Sequence, residues 1–237
     1  MKKGNRTLLK IAIICIALND SGTGATTPAL QSISAAMPQV APNLVQMIAT
    51  VPALFIALVP PVYARLLEIM RKRTLLYIGA ILFVIGGVGP AFINDSIWVI
   101  LFFRALLGIG CGIVYPMGTD LCIDFFEGKE RHNMIGYVSA TVSLSGIIFS
   151  TLGGFLTNIG WEYCFYAYFV SIAFFLVGII FLPEPDRESK IAEQEGSPDV
   201  RATIPASAYL VSILFGLFFM MWYVTPTNGA MVLIGDG

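Results

Sequence analysis

Two charged residues lie well inside otherwise apolar stretches, away from the ends, and are the groups in this sequence best suited to chemistry. Arg104 lies within the run 97–119, and Asp20 lies within the run 8–30. A charge inside a membrane-spanning helix is costly and marks a functional site by default. An Asp–Arg pair would neutralise both charges, and protonation of the carboxylate would release the guanidinium. We therefore predict that Asp20 and Arg104 couple proton movement to transport, with a static structural ion pair as the alternative.

The depths of the two residues in a membrane are compatible with such a pair. At the helical rise, Asp20 lies about 18 Å above Leu8. Arg104 lies about 21 Å above the inner face if the apolar core is about 30 Å thick. The candidate substrate contacts are the side chains that flank Asp20 and Pro116, namely Asn19, Thr23, Thr26, Tyr115 and Met117.

About seven stretches of the chain are apolar and long enough, at about 20 residues, to cross a membrane as helices. They cover approximately 8–30, 44–64, 74–93, 97–119, 133–157, 162–182 and 206–232. Hydrophobic residues make up 57% of the chain and charged residues 12%, whereas a soluble domain carries about 25% charged residues. The predicted fold is an all-α, multi-pass bundle of transmembrane helices in contact with membrane lipid.

The basic residues between the spans predict the orientation of the bundle. Lys and Arg precede the first span and recur in every second connection, while the connections 31–43, 93–96 and 158–162 contain none. Because cytoplasmic loops carry the excess of Lys and Arg, we expect a cytoplasmic N-terminus in the cell membrane. The apolar run 11–18 followed by small residues also resembles a cleaved signal peptide, and this alternative stays open.

Composition divides the chain into three parts. Residues 1–183 contain the first six spans and are predicted to form one bundle. Residues 184–205 are rich in charge, with Pro, Gly and Ser, which is typical of a flexible cytoplasmic linker. Residues 206–237 contain the seventh span, which would begin an incomplete second bundle.

Several function classes are disfavoured by composition. A net charge of −1 provides no basic face for nucleic acid. The single histidine, His132, and four scattered cysteines without a CxxC pair do not predict a metal site or a disulfide framework. The sequence has no nucleophile–base pair or phosphate-binding loop, so we expect neither an enzyme nor a bound cofactor.

A short pattern of small residues, G-x-G-x-x-x-P, occurs in both the first and the fourth span. It covers 22–28 and 110–116. Glycine permits close helix approach and proline bends a helix. Because these two spans would run in opposite directions, we predict an inverted 3+3 helix repeat; chance is the alternative, since both residues are common in spans. The predicted packing and hinge positions are Gly22, Gly24, Pro28, Gly108, Gly110, Gly112, Pro116, Gly153 and Gly154.

The fifth span carries a stripe of small residues at steps of three to four. It extends from Gly136 to Thr157. Such a stripe allows another helix to approach closely, so we expect an interhelical contact along it, most simply as an ordinary packing seam.

Three segments resemble motifs of the major facilitator superfamily. Residues 104–116 resemble its fourth-helix motif, an Arg followed by a Gly-rich run and Pro. Glu130-Arg131 resembles the loop between its helices four and five, and Gly153-Gly154 the end of helix five. The resemblance covers 1–237. It implies a six-helix half, the central loop and helix seven, with helices one and four lining a cavity and helices eight to twelve missing.

The chain departs from the family pattern at two places. After the second span only the basic end of the usual motif is present, because Leu67 replaces an Asp and Met70 a Gly. In the fifth span Phe149-Ser150 stands where the antiporter motif has Gly-Pro. The second difference weakens, without removing, the interpretation of the chain as a drug antiporter.

The resemblance implies a secondary active transporter that moves a small organic solute, of drug or metabolite type, by proton-coupled alternating access. A missing C-terminal half or a second copy would be needed to close the cavity. The alternatives are a uniporter or sugar or metabolite carrier of the same fold, a non-functional truncated transporter, and a seven-helix receptor. The predicted cytoplasmic N-terminus argues against the receptor.

Overall fold

The computed structural model of the protein describes residues 3–183 and Leu214. Every regular element within these residues is helical. The α-helices are α1 (Lys3–Ala17), α2 (Leu30–Ala36), α3 (Pro42–Ile69), α4 (Lys72–Val88), α5 (Ile97–Phe125), α6 (Gly128–Thr157) and α7 (Phe169–Phe181). Three 3-10 helices cover Gly22–Ala29, Gly89–Ala91 and Trp161–Tyr168.

Six continuous helical stretches of the described residues are long and apolar enough to cross a membrane. They are Arg6–Ala36, Pro42–Ile69, Lys72–Ala91, Ile97–Phe125, Gly128–Thr157 and Trp161–Phe181. They match the first six predicted spans and confirm the all-α fold. The bundle belongs to the first of two units, Met1–Glu184 and Pro185–Gly237. The predicted linker lies outside the described residues, and Leu214 is the one described residue of the predicted seventh span.

The first span is irregular at the depth of Asp20. α1 ends at Ala17, whose carbonyl accepts a hydrogen bond from the Asp20 backbone N–H at 3.1 Å. This i→i−3 bond, and the bond from Gly22 to Asn19 at 3.1 Å, begin the tighter winding of the 3-10 helix. The Asn19 amide donates to the Cys15 carbonyl at 3.0 Å. The irregularity therefore begins well before Pro28, where the sequence predicts the bend.

The fourth span, α5, is continuous and passes through Pro116 without a break. Its glycines allow close contact with α3. A Cβ atom at Gly108 would lie 2.7 Å from Pro52 Cα, and one at Gly112 would lie 2.6 Å from Val59 Cβ. At these two glycines the absence of a side chain allows α3 and α5 to approach closely.

The small-residue stripe of α6 contacts the first span. A Cβ atom at Gly153 would collide with the carbonyl oxygen of Ala25. Nearby, the Ser21 hydroxyl donates to the Val142 carbonyl at 3.0 Å, and Ser145 accepts a hydrogen bond from the Ser21 backbone N–H at 3.3 Å. The expected interhelical contact is confirmed for this part of the stripe.

Ion pairs join the helix ends at the Lys72 side of the bundle. Lys72 Nζ lies 2.7 Å from Asp124 Oδ2 and 3.5 Å from Asp120 Oδ2. The Tyr63 hydroxyl donates to Asp120 at 3.0 Å. These contacts connect α3, α4 and α5, so part of the basic cluster after the second span stabilises the packing of helices.

The first turn of α6 forms a second set of polar contacts at this end. Glu130 lies 2.9 Å from Arg6 and 2.8 Å from Lys10, which ties α6 to α1. Arg131 donates to the carbonyl groups of Phe126 at 2.7 Å and Ile123 at 3.2 Å. Arg131 thereby satisfies carbonyl groups that a helix C-terminus leaves unbonded.

Candidate functional site

Arg104 is fully buried in α5 among hydroxyl groups and aromatic rings. Its Nη1 atom donates to the Tyr168 hydroxyl at 2.9 Å and lies 3.5 Å from Thr26 Oγ1. The guanidinium carbon lies 5.0 Å from the centre of the Phe165 ring and 5.1 Å from that of Tyr168. Both distances are within the range of cation–π attraction. The guanidinium is thus held by a hydroxyl and two ring faces.

Asp20 is buried in the irregular turn after α1, with 6% of its surface exposed. Its Oδ1 atom has no hydrogen-bond partner, and the Nε and Nη2 atoms of Arg104 have none either. Among the described residues, no ion pair within 4.0 Å involves Asp20 or Arg104. The direct Asp20–Arg104 contact expected from the sequence is therefore not formed in this conformation, because Arg104 contacts Tyr168 instead.

Cys111 places the two charged groups in one neighbourhood. This buried thiol, on the same helix as Arg104, lies within electrostatic range of both Asp20 and Arg104. The first and fourth spans, α1 and α5, also pack together. The structure thus brings an unpaired carboxylate and a guanidinium with unused donors close to the same side chain, without joining them.

Tyr168 contacts Arg104 but is not among the residues that the sequence analysis singled out. It ends the 3-10 helix Trp161–Tyr168, and its ring lies 5.9 Å from those of Phe83 and Phe149. A Cβ atom at Gly87 would lie 2.6 Å from Tyr168 Cγ, so the absence of a side chain there makes room for the ring. A buried tyrosine hydroxyl usually needs a polar partner. A tyrosine within an apolar span was therefore the feature of the sequence that could have indicated a partner for Arg104.

The five predicted substrate contacts occupy different environments. Asn19 and Thr26 are fully buried, and Thr26 lies beside Arg104. Thr23 is partly buried, and 50% of the Tyr115 surface is exposed. Met117 is fully buried in the hydrophobic core. Only Thr26 of this set contacts a member of the predicted charged pair, and the substrate-binding roles stay predictions.

The first glycines of the two G-x-G-x-x-x-P segments converge on one residue of α4. A Cβ atom at Gly22 would lie 2.5 Å from Phe83 Cζ, and one at Gly110 would lie 2.5 Å from Phe83 N. In contrast, a Cβ atom at Gly24 would lie 4.0 Å from the nearest neighbouring atom, Gly146 O. Gly22 and Gly110 therefore lie in close contact with Phe83, whereas Gly24 has space around it.

A bundle of membrane-capable helices that encloses a buried guanidinium and a carboxylate has the features of a membrane transport protein. Residues 11–234 match the Major Facilitator Superfamily. The chain belongs to this family, whose members are transporters rather than enzymes.

The similar proteins of known name include bacterial drug transporters. The chain is 26% identical over 226 residues to "Multidrug transporter protein MdtP" of Bacillus subtilis (strain 168), covering 92% of this chain and 39% of the relative. It is 23% identical over 161 residues to "Quinolone resistance protein NorA" of Staphylococcus aureus, covering 68% of this chain and 41% of that protein. The chain thus spans about two fifths of the length of these relatives.

The solved structures support the same fold. A D-xylose–proton symporter superposes with a TM-score of 0.64 at 17% identity, covering 82% of this chain and 52% of the symporter. A bacterial homologue of the human lysosomal transporter Spinster, in an inward-facing and unoccupied conformation, gives a TM-score of 0.64 at 21% identity. That alignment covers 87% of this chain and 47% of the homologue.

Proposed function

We propose that this chain is part of a secondary active transporter that moves a small organic solute by alternating access, with protons as the coupling ion. The observation that carries the proposal is the buried Arg104, whose Nε and Nη2 donors are unused near an unpaired Asp20. A buried polar group without a partner is costly. An arrangement that leaves both groups unsatisfied fits a site that changes its contacts during a working cycle.

The coupling step that we propose alternates between two arrangements of these groups. In the described arrangement, Arg104 contacts Tyr168 and Thr26, and Asp20 has a free acceptor atom. An isolated buried carboxylate is stabilised by binding a proton, because the neutral form loses less solvation. When Arg104 contacts Asp20, the ion pair favours the charged carboxylate and the proton leaves. The exchange of partners would link proton binding to the change of access.

The substrate class that we propose is a drug-like or metabolite-like organic solute. Two relatives carry names that refer to multidrug transport and quinolone resistance. Tyr115 offers an exposed aromatic ring, and Thr23 and Thr26 offer hydroxyl groups near the charged pair. Asn19 would contribute its unbonded Oδ1 atom. Met117 lies in the core, which favours a packing role for it in this arrangement.

A second bundle, either a C-terminal half or a second copy of this chain, is the proposed partner that closes the cavity. Of the six described spans, α3 and α6 are the least buried. In the most apolar stretch of each, 22% is buried, against 61% in that of α5. The exposed surface of α6 includes the polar side chains of Tyr137, Ser139 and Ser143. Polar groups face a protein partner or a water-filled cavity more readily than lipid.

We propose that the bundle lies in the cell membrane with its N-terminus in the cytoplasm. Arg65, near the end of α3, and Arg71, directly before α4, are exposed at the same end of the bundle as Lys72. Positive loop residues favour the cytoplasmic side. Labelling of a cysteine placed at position 71, from each side of the membrane in turn, reads the orientation.

The proposed function is tested by Asp20→Asn in the complete open reading frame that carries this sequence. Asparagine preserves the size of the side chain but cannot bind and release a proton in this pH range. We expect gradient-driven transport of a quinolone in proteoliposomes to fall at least about tenfold, as for loss of a proton-transfer group. Binding of the quinolone, measured by equilibrium dialysis, should change little.

Asp95→Asn is the matched control, because Asp95 is exposed in the connection before α5 and the same atoms change there. It should retain the parental transport rate. Full gradient-driven accumulation by the Asp20→Asn protein would show that Asp20 is structural, and the coupling proposal would be wrong.

A further inference from the structure

We infer that Tyr168 is a positioning residue whose hydroxyl holds Arg104 away from Asp20 and so sets the balance between the two arrangements of the site. This inference rests on the proposed function and adds a residue that competes with the carboxylate for the guanidinium. The hydrogen bond from Arg104 to Tyr168, at 2.9 Å, is the shorter of the two that the guanidinium makes with side chains.

The competition follows from the donors of the guanidinium and their partners. A guanidinium has five N–H groups in a planar fork, and the described hydrogen bonds of Arg104 use only Nη1. A carboxylate is a stronger acceptor than a neutral hydroxyl because it is charged. Arg104 would move towards an ionised Asp20 unless another contact offsets that attraction. Tyr168 and the ring face of Phe165 provide this contact.

The Tyr168 hydroxyl has a fixed position because its ring packs against three neighbours. Phe83 on α4 meets the ring edge-on, and Phe149 on α6 lies at the same centroid distance of 5.9 Å. Gly87 packs directly on the ring. Arg104 has a long, flexible side chain, so it is the partner able to move. Displacing Tyr168 would require repacking of α4 and α6.

The other ionisable groups near Arg104 are few in the described part of the chain. Cys111 on α5 and Cys164 on the 3-10 helix lie close enough to interact with it electrostatically. Glu162 interacts with Cys164. The faces of α4 and α6 that pack on Tyr168 contribute aromatic rings and glycine. Asp20 is therefore the carboxylate placed to compete for the guanidinium.

The first test is Tyr168→Phe, which keeps the ring and its packing but removes the hydroxyl. Freed from the hydroxyl, Arg104 should contact Asp20 more often and favour its ionised form. We expect the pH of half-maximal uptake to fall by roughly one unit, the tenfold effect of losing a hydrogen bond to a charged group. Thr26→Val, which removes the weaker contact, should give a smaller shift in the same direction.

Tyr166→Phe is the matched control for this substitution. Tyr166 lies two residues away in the same 3-10 helix, and its ring contacts are with Phe92, Tyr163 and Phe169. Removal of its hydroxyl should leave the pH profile of uptake unchanged.

The second test does not depend on transport. Melting temperatures of the purified protein are compared for Tyr168→Phe, Asp20→Asn and the double variant. If the two groups are alternative partners, each single variant leaves Arg104 with one of them, and the double variant leaves it only Thr26 and the weaker, neutral acceptor of Asn at position 20. The double variant should melt roughly 4 °C or more below the sum of the single effects. Independent groups would give additive shifts.

The two tests separate failure of the inference from failure of the proposed function. Additive melting shifts together with an unchanged pH profile for Tyr168→Phe would overturn the positioning role. Non-additive melting in a protein whose transport is indifferent to the proton gradient would support the positioning role and refute the proton-coupled function.

Discussion

The two G-x-G-x-x-x-P segments share one pattern but adopt different structures. The first, 22–28, lies in a 3-10 helix that follows an irregular turn, whereas the second, 110–116, lies in the middle of the continuous helix α5. Proline removes a helical hydrogen bond in both cases. The proline alone does not explain the difference, since α5 continues through Pro116.

The neighbours of each segment explain the difference. The second segment is enclosed on two sides, by Val59 of α3 against Gly112 and by Phe83 of α4 against Gly110. In the first segment Gly22 meets the side chain of Phe83 and Ala25 meets Gly153 of α6, whereas Gly24 has free space around it. The second segment continues the regular helix that carries Arg104, and the first segment follows the irregular turn that carries Asp20. The same pattern therefore accompanies a regular helix on the guanidinium side of the site and an irregular turn on the carboxylate side.

Gly110→Ala should be the most destabilising of three glycine substitutions in the two segments. Its Cβ atom would lie 2.5 Å from Phe83 N and 2.8 Å from Gly79 O, and backbone atoms in a packed helix cannot move aside easily. We expect a loss of about 3 kcal/mol or more, which lowers the melting temperature by roughly 10 °C. Thermal unfolding in detergent, followed by tryptophan fluorescence, measures it. A parental melting temperature would mean that α4 and α5 are less tightly packed than described.

Gly22→Ala should have an intermediate effect. The nearest atom to its Cβ would be Phe83 Cζ at 2.5 Å, at the far end of a side chain that is itself packed. We expect a loss of about 1–2 kcal/mol. Phe83→Leu shortens this side chain, so adding it to Gly22→Ala should cost less than the sum of the two single changes, as measured by thermal unfolding.

Phe83→Leu also distinguishes the two G-x-G-x-x-x-P segments. Phe83→Leu should not relieve Gly110→Ala, because the atoms in contact there belong to the backbone. Equal relief in both cases would contradict the difference in packing.

Gly24→Ala should have the smallest effect. Its Cβ atom would meet only Gly146 O, at 4.0 Å. We expect a stability within about 0.5 kcal/mol of the parent, as for substitutions away from packed features. A normal melting temperature combined with slower transport would indicate that Gly24 is approached closely in another conformation. A large loss of stability would contradict the open packing around it.

The six spans and their order were predictable because long apolar runs must leave water, and their length matches the membrane. The charges at Asp20 and Arg104 were also conspicuous, since ionisable residues within apolar runs are rare. Thr26, which the sequence analysis proposed as a substrate contact, lies 3.5 Å from Arg104, and its role stays a prediction. The irregular turn at Asp20 was not predicted, because it depends on the hydrogen bonds of Asn19 and on those of Ser21 with α6.

The contacts of Arg104 illustrate what the linear pattern could not provide. Its hydrogen-bond partner Tyr168 is 64 residues further along the chain, in another span. Residue types alone made Asp20 the natural partner, since opposite charges attract strongly in an apolar medium. In the folded bundle, the packing of the aromatic rings and of Gly87 places the Tyr168 hydroxyl, rather than Asp20, in contact with the guanidinium.

The amino-acid sequence by itself thus determined the class of protein, the membrane spans and the two buried charges, because each follows from the free energy of transferring residues from water to lipid. The tertiary structure decided which groups contact Arg104, which glycines are essential for packing and where the first span is irregular. These features depend on distances of a few ångströms between helices that are remote in the chain, and such distances are set only when all the helices pack together.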